Sequence, residues 1–324
     1  MNFNTEYNSF YGLNLLQQTR NSAIKAKIDT LVAGHRTSFK MILEQKEIKY
    51  KGKVIFERLT MSAKFTRVPK LFVEDEACFL YLTKGAFKYR TPVNLLVFEQ
   101  GEAMLSKCGN YFIENVSINQ EIGDTVISAV GAFFYPSMIK EFFQTDLSLE
   151  NFKSSFDTAK ISIEPLMKSF IDGINFMLDN PEIADENLVI TKLKELVILL
   201  GKSENSDSIN GFVHSLFVPH EYNFNEVIQK NLYANLSLDE LAHLCNCSKA
   251  TFKRKFIEYF NESPAKYILN KKLEKAALLL AEEKKPVSEI AFECGFETIP
   301  NFNKSFKKAY SKSPTEFRLS QKEK

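Results

Sequence analysis

One pattern restricts this chain more than any other: a capping residue, a short helix, a tight turn and a longer basic helix, written twice about fifty residues apart near the C-terminus. The first copy opens at Leu236-Ser237-Leu238-Asp239-Glu240-Leu241-Ala242. Ser237 and Glu240 have the spacing of a capping box, and Leu238, Leu241 and Ala242 supply one apolar helix face. Cys245-Asn246-Cys247-Ser248 follows, in which Asn tolerates the left-handed conformation of a tight turn and Ser248 can cap the next helix. That helix spans 249–260. Its Phe252, Phe256 and Phe260 recur every four residues and turn inward, so Lys249, Lys253, Arg254 and Lys255 point outward.

The second copy runs from Val287 through Ile290-Ala291 to Cys294-Gly295-Phe296, then from Thr298 to Tyr310. Gly295 supplies the turn, because glycine takes positive φ at no steric cost. Phe302 and Phe306 form the inner face, while Asn303, Lys304, Lys307 and Lys308 lie outward. Between the copies, Ser263-Pro264 starts a helix with proline in its first turn, and Ile268, Leu269, Leu273, Ala276, Ala277 and Leu280 make one apolar stripe. Two helices joined by a tight turn, the second basic on its free face, form the helix-turn-helix arrangement that places a recognition helix in the DNA major groove.

Leu241-Ala242, Ser248, Phe256, Pro264-Ala265-Lys266-Tyr267-Ile268, Lys272-Leu273, Ala276, Leu279-Leu280, Ile290-Ala291, Cys294-Gly295-Phe296, Phe302, Phe306-Lys307 and Ser313-Pro314-Thr315-Glu316-Phe317-Arg318 resemble the DNA-binding domain of the AraC/XylS transcription regulators. The resemblance covers residues 225–324. Three positions depart from the family pattern: Lys272 stands where arginine is usual, Pro300 where a serine commonly touches the DNA backbone, and Ser311-Lys312-Ser313 lacks the usual glycine. The resemblance implies a transcription regulator, most simply an activator, with promoter DNA and RNA polymerase as partners and no cofactor. It places DNA contacts at Ser248, Lys249, Ala250, Lys253, Arg254, Lys255, Thr298, Ile299, Pro300, Asn303 and Lys304. Ala250, Lys253 and Arg254 would face base edges, with Lys249 and Lys255 placed for phosphate. Ile299 and Pro300 cannot donate side-chain hydrogen bonds, so readout there would be apolar contact with a thymine methyl.

Charge agrees with one nucleic-acid-binding part. Residues 225–324 hold 18 Lys and Arg against 13 Asp and Glu, whereas residues 1–224 hold 24 against 27. Five cysteines, an odd number, make no disulfide framework. Cys245, Cys247 and His243 invite a metal reading, but a structural zinc site wants four ligands at recognisable spacings, and buried cysteine behaves as a small apolar residue. No metal is expected. The N-terminal Met1-Asn2-Phe3-Asn4-Thr5-Glu6 lacks the basic flank and apolar core of a signal peptide, and no run of eighteen apolar residues suggests a membrane span, so a cytoplasmic protein is expected.

Residues 1–50 read as an N-terminal extension of uncertain role. From Lys53 to about Val130 come short β-rich runs: 54–59, 78–82, 95–98, 103–105, 111–113 and 125–128. Regular short strands argue for a small barrel. Tyr81-Leu82-Thr83-Lys84-Gly85, Gln100-Gly101-Glu102-Ala103-Met104-Leu105 and the turn Cys108-Gly109-Asn110 look like the cupin-type sensor barrel of the same regulators. Catalytic cupins hold a metal with histidines and a carboxylate, and residues 41–135 contain no histidine. The aromatics Phe72, Phe79, Tyr81, Phe87, Tyr89, Phe98, Tyr111 and Phe112 either line a ligand cavity or fill the barrel solid.

From Phe133 to Leu200 the pattern turns helical, with stripes over 163–178 and 186–200 that either pair two subunits or cover the barrel. Residues 201–224 begin with the polar stretch Gly201 to Ser208 and read as a hinge. The expected architecture is mixed: a cupin-like barrel with following helices over 51–200, then an all-α domain of two helix-turn-helix motifs joined by a linker helix over 225–324. A small molecule or a regulatory protein would act on the first domain, and a homodimer is among the expectations. The alternative, a cupin or cysteine-based DNA-repair enzyme with a DNA-binding appendage, finds no phosphate loop, no paired histidine ligands and no nucleophile elbow in the sequence.

Overall fold

In the computed structural model, the residues described are 42–69, 76–107, 109–116, 126–143, 158–202, 222–282 and 284–322. Among the described residues there are ten strands: β1 (Ile42–Tyr50), β2 (Lys53–Ser62), β3 (Arg67–Pro69), β4 (Ala77–Lys84), β5 (Ala86–Arg90), β6 (Leu95–Glu99), β7 (Ala103–Lys107), β8 (Phe112–Asn115), β9 (Val126–Phe134) and β10 (Thr158–Ile161). They form a six-stranded sheet in the order β1-β2-β9-β4-β7-β10 and a four-stranded sheet in the order β3-β8-β5-β6. All recorded pairings are antiparallel. Helix α1 (Pro136–Phe143) follows β9, and α2 (Pro165–Asp179) and α3 (Glu186–Gly201) follow β10.

Period-2 alternation explains why the large sheet becomes a middle layer. On β4, Ala77, Phe79 and Tyr81 point to the side covered by α2 and α3, where they meet Phe170, Ile171, Ile174, Leu193 and Leu196. Cys78 and Leu82 point to the other side, where Phe87, Tyr89, Phe98 and Tyr111 come from the small sheet and its flank. Both faces are therefore buried, and β4 reads as one nearly continuous apolar run. Aromatic rings fill the space between the sheets, with Phe87 stacked on Phe98 at 5.5 Å and Tyr89 edge-on to Tyr111 at 5.3 Å.

The structure differs from the sequence reading in several places. The barrel is present as two open sheets, with no strand pairing between them among the described residues. Ile42–Tyr50, read as part of an extension, is a strand; it joins β2 through the two-residue turn Lys51-Gly52, whose φ values of 46° and 77° are those of a hairpin turn matched to the sheet twist. Only Ile48 and Tyr50 of that strand are buried, so its first half shows no inward alternation to read. The stretch read as helical from Phe133 begins inside β9 and contains β10, an edge strand held by β7. The polar hinge from Ser203 and residues 1–41 lie outside the described residues.

After Tyr222 the chain is helical: α4 (Phe224–Asn231), α5 (Leu238–Leu244), α6 (Lys249–Phe260), α7 (Pro264–Glu282), α8 (Val287–Glu293), α9 (Ile299–Tyr310) and α10 (Pro314–Lys322). Two aromatic cores sit here. Ile228, Leu241, Phe252 and Phe256 form one, and Leu273, Ile290, Phe302 and Phe306 the other. Helix α7 serves both, giving Tyr267 and Ile268 to the first and Leu273, Ala276 and Leu280 to the second. No helix among the described residues is long and apolar enough to cross a membrane.

Candidate nucleic-acid interface

Helix α5 starts at a complete capping box. The Glu240 amide donates to Ser237 Oγ at 3.2 Å, and the Ser237 amide donates to Glu240 Oε2 at 2.7 Å. The turn that ends α5 needs one left-handed residue, and Asn246 takes it with φ of 50°. Ser248 then caps α6, its Oγ accepting from the Thr251 amide at 3.2 Å. Phe252 and Phe256 are fully buried, ringed by Phe224, Phe260 and Tyr267. That leaves Lys249, Ala250, Lys253, Arg254 and Lys255 exposed on one helix surface, as the spacing requires. Lys249 reaches back to Asp239 on α5 at 2.8 Å.

The second unit repeats the plan with different turn chemistry. Gly295 has φ of +77°, and a Cβ there would lie 2.6 Å from the Tyr233 carbonyl oxygen, so both the backbone conformation and the close approach require glycine. Thr298 caps α9 by accepting from the Asn301 amide at 3.4 Å. Pro300 falls in the first turn, where its missing N–H breaks no helix bond. Pro300, Asn303 and Lys304 are exposed. Ile299 is not wholly outward: it is half-buried and packs against the Phe302 and Phe306 core. Its position at the start of α9 lets the apolar side chain turn back onto the core beneath it. Ser311 closes α9 in the left-handed conformation, φ 59°, in the turn where the family glycine is lacking.

Lys272, the residue standing in for arginine, donates from Nζ to the Gly295 carbonyl at 2.6 Å, and burial lowers its pKa. Its neighbour on α7, Lys275, lies 4.3 Å over the Tyr233 ring. The loop between α4 and α5 thereby ties the two units together, with Asn235 Nδ2 donating to Glu297 at 3.0 Å as a further link. Sequence reasoning passed over Tyr233 and Asn235. Their partners lie some forty to sixty residues away, beyond any local periodicity. Cys245 and Cys247 pack against the first aromatic core, and His243 lies against the Phe112 ring at 4.9 Å. Burial pushes the Cys245 thiol up to about 12, against the opposing pull of the nearby Lys255 charge.

Residues 241–320 match the family model described as a helix-turn-helix domain, and residues 77–212 match that described as the ExsA N-terminal regulatory domain. The chain carries an AraC-type helix-turn-helix domain and an ExsA-type N-terminal regulatory domain. The HTH-type transcriptional regulator GbdR of Pseudomonas aeruginosa is 33% identical over 95 residues, 29% of this chain and 26% of that protein. The HTH-type transcriptional activator CfaD of Escherichia coli is 29% identical over 129 residues, 39% of this chain and 47% of the relative. The thermoregulatory protein LcrF of Yersinia pestis is 24% identical over 160 residues, 49% of this chain and 58% of the relative. The chain thus spans from about a quarter to somewhat over half the length of these curated relatives.

Proposed function

We propose that the chain is a sequence-specific, double-stranded DNA-binding regulator of transcription that acts on promoters, in the cytoplasm, as an activator working with RNA polymerase. The observation that carries this reading is the pair of capped, glycine- or asparagine-turned helix units whose second helices expose Lys249, Lys253, Arg254 and Lys255 on α6 and Asn303 and Lys304 on α9. Residues 225–324 serve as the DNA-binding domain and the sheets with α2 and α3 as the regulatory domain, the segment 201–224 joining them. Base reading falls mainly to Ala250, Lys253 and Arg254. Ser248, Lys249, Lys255 and Thr298 lie beside the phosphates. Selection of duplexes from a random-sequence pool, followed by gel shifts across a salt series, tests this: binding should be selective and should weaken linearly in log salt. Failure to enrich any sequence would sink the reading.

The interior between the sheets is packed with Phe87, Tyr89, Phe98 and Tyr111, which supports control through a surface by a regulatory protein over control by a small molecule inside the domain. A thermal-shift screen of small molecules tests this, since a ligand of the native state raises stability by RT ln(1 + [L]/Kd). Leu166 and Phe176 on α2 and Ile198 on α3 are exposed apolar side chains on the helices that follow the sheets, and they support pairing of two copies. Sedimentation of wild type against Phe176→Ser checks it. A cysteine-based enzyme reading finds no support at Cys245, a half-buried thiol where desolvation disfavours the thiolate.

A further inference from the structure

The outer face of the small sheet carries a row in which Arg67, Glu114 and Lys88 lie side by side, and a second row of Pro69, Phe112 and Arg90. In an isolated domain this face would meet water. Here Phe112 is 3% exposed and Arg90 and Glu114 7% each, because α4 and α5 lie on them. Phe112 forms a small shared core with Val227 and Leu244. Arg90 Nη1 donates to Asn231 Oδ1 at 3.0 Å, and Asn231 Nδ2 donates to the Pro92 carbonyl at 2.8 Å. Arg67 Nη1 donates to Glu240 Oε1 at 2.8 Å, the carboxylate that completes the capping box with Ser237 at the start of α5. At the far edge Asn110 Nδ2 donates to Asn246 Oδ1 at 2.7 Å, in the turn that leads into α6.

Two features make this contact separable. Its apolar part is small, and its charges are already satisfied within each half. Glu114 accepts from both Arg67 and Arg90 of its own sheet, and Glu240 accepts from its own helix start at Ser237. Parting the halves therefore strands no buried charge, the circumstance that makes most buried ion pairs costly to break. Small polar contacts of this kind within a chain behave like transient interfaces. The placement also bears on DNA. A recognition helix enters the groove with its N-terminal residues, so the turn before it runs along the groove edge beside the phosphates. Asn110 is hydrogen-bonded to Asn246 in that turn.

We propose that the contact of Arg67, Arg90, Phe112 and Asn110 with α4, α5 and Asn246 is a releasable latch by which the regulatory domain holds the first helix-turn-helix unit in a restrained, low-affinity arrangement, so that input to the regulatory domain acts by opening it. The latch rests on the DNA-binding reading above and adds its mode of control. Arg67→Gln and Glu240→Gln each remove the central ion pair. Glutamine at 240 retains the capping box. The two changes have opposite effects on net charge, which separates release of the latch from simple attraction to phosphate.

The experiment is fluorescence anisotropy of the full chain and both variants on a duplex enriched from a random pool by the wild-type chain, with thermal melts to verify folding and Asn110→Ala as a third variant if either charge variant fails to fold. Each variant should tighten binding at least about fivefold, the low end of ordinary coupling between sites. Tighter binding by Glu240→Gln with weaker binding by Arg67→Gln would reveal a charge effect and overturn the latch. Equal affinity in all variants would overturn it as well, leaving the DNA-binding reading intact. Failure of wild type and variants alike to bind any duplex would remove both.

Discussion

The carbonyl oxygen of Tyr233 stands 2.6 Å from the point where a Cβ on Gly295 would be, so the turn of the second unit is built against the loop that opens the first. Gly295→Ala meets this carbonyl and the positive φ of 77° together. A loss of about 1–3 kcal/mol is expected, the usual cost of holding a non-glycine residue in a disfavoured backbone region. Urea unfolding measures it; a variant with the wild-type midpoint would show that the loop moves aside freely.

Arg254 is exposed on the outward surface of α6, and an arginine in a recognition helix would suit bidentate contact with guanine, worth roughly 1–3 kcal/mol of discrimination. Arg254→Ala is expected to relax preference at one base position. Lys255→Ala should weaken every sequence alike and flatten the salt slope by about one unit. Binding to a panel of single-base variants of the selected site separates the two; uniform loss for Arg254→Ala would remove its base-reading role.

The second unit should make its own groove contact. Asn303 and Lys304 are exposed on α9, and half-burial of Ile299 narrows the apolar contact there to Pro300. Footprinting is expected to show two protected major-groove segments about one helical turn (~34 Å) apart, the second less selective. Protection of one segment alone, with Asn303→Ala and Lys304→Ala silent, would reduce this unit to a packing element.

Glu114, paired with Arg67 and Arg90 of its own sheet, gives the small sheet an acid sensitivity. Burial by itself would raise its pKa, but hydrogen bonds and charge from Arg90 and Arg67 hold it below the ordinary carboxylate value of 4.5. A folded-state pKa below the unfolded one means the stabilisation is fully present above pH 4.5 and disappears as pH falls through the lower folded value. Melting temperature plotted against pH should therefore drop on the acid side for wild type and drop less steeply for Glu114→Gln. Parallel acid limbs would assign the acid loss to other carboxylates.

Local chemistry determined much of this molecule from the sequence alone. The Ser237 and Glu240 capping box, the turns at Asn246 and Gly295, and Phe252 with Phe256 and Phe302 with Phe306 each act over four residues or fewer, the reach of helix hydrogen bonds and caps. Helix boundaries and the exposed basic surface of α6 could be read for that reason. Tertiary structure alone decided where surfaces meet. β1 and β10 are edge strands fixed by partners on β2 and β7, and most of β1 is exposed, so no alternation marks its first half. Arg67, Arg90 and Glu114 look in sequence like ordinary outward residues of short strands. Arg90 and Glu114 are buried, and Arg67 half-buried, because α4 and α5, more than a hundred residues later, close over that face, and no pattern within a strand records what will cover it.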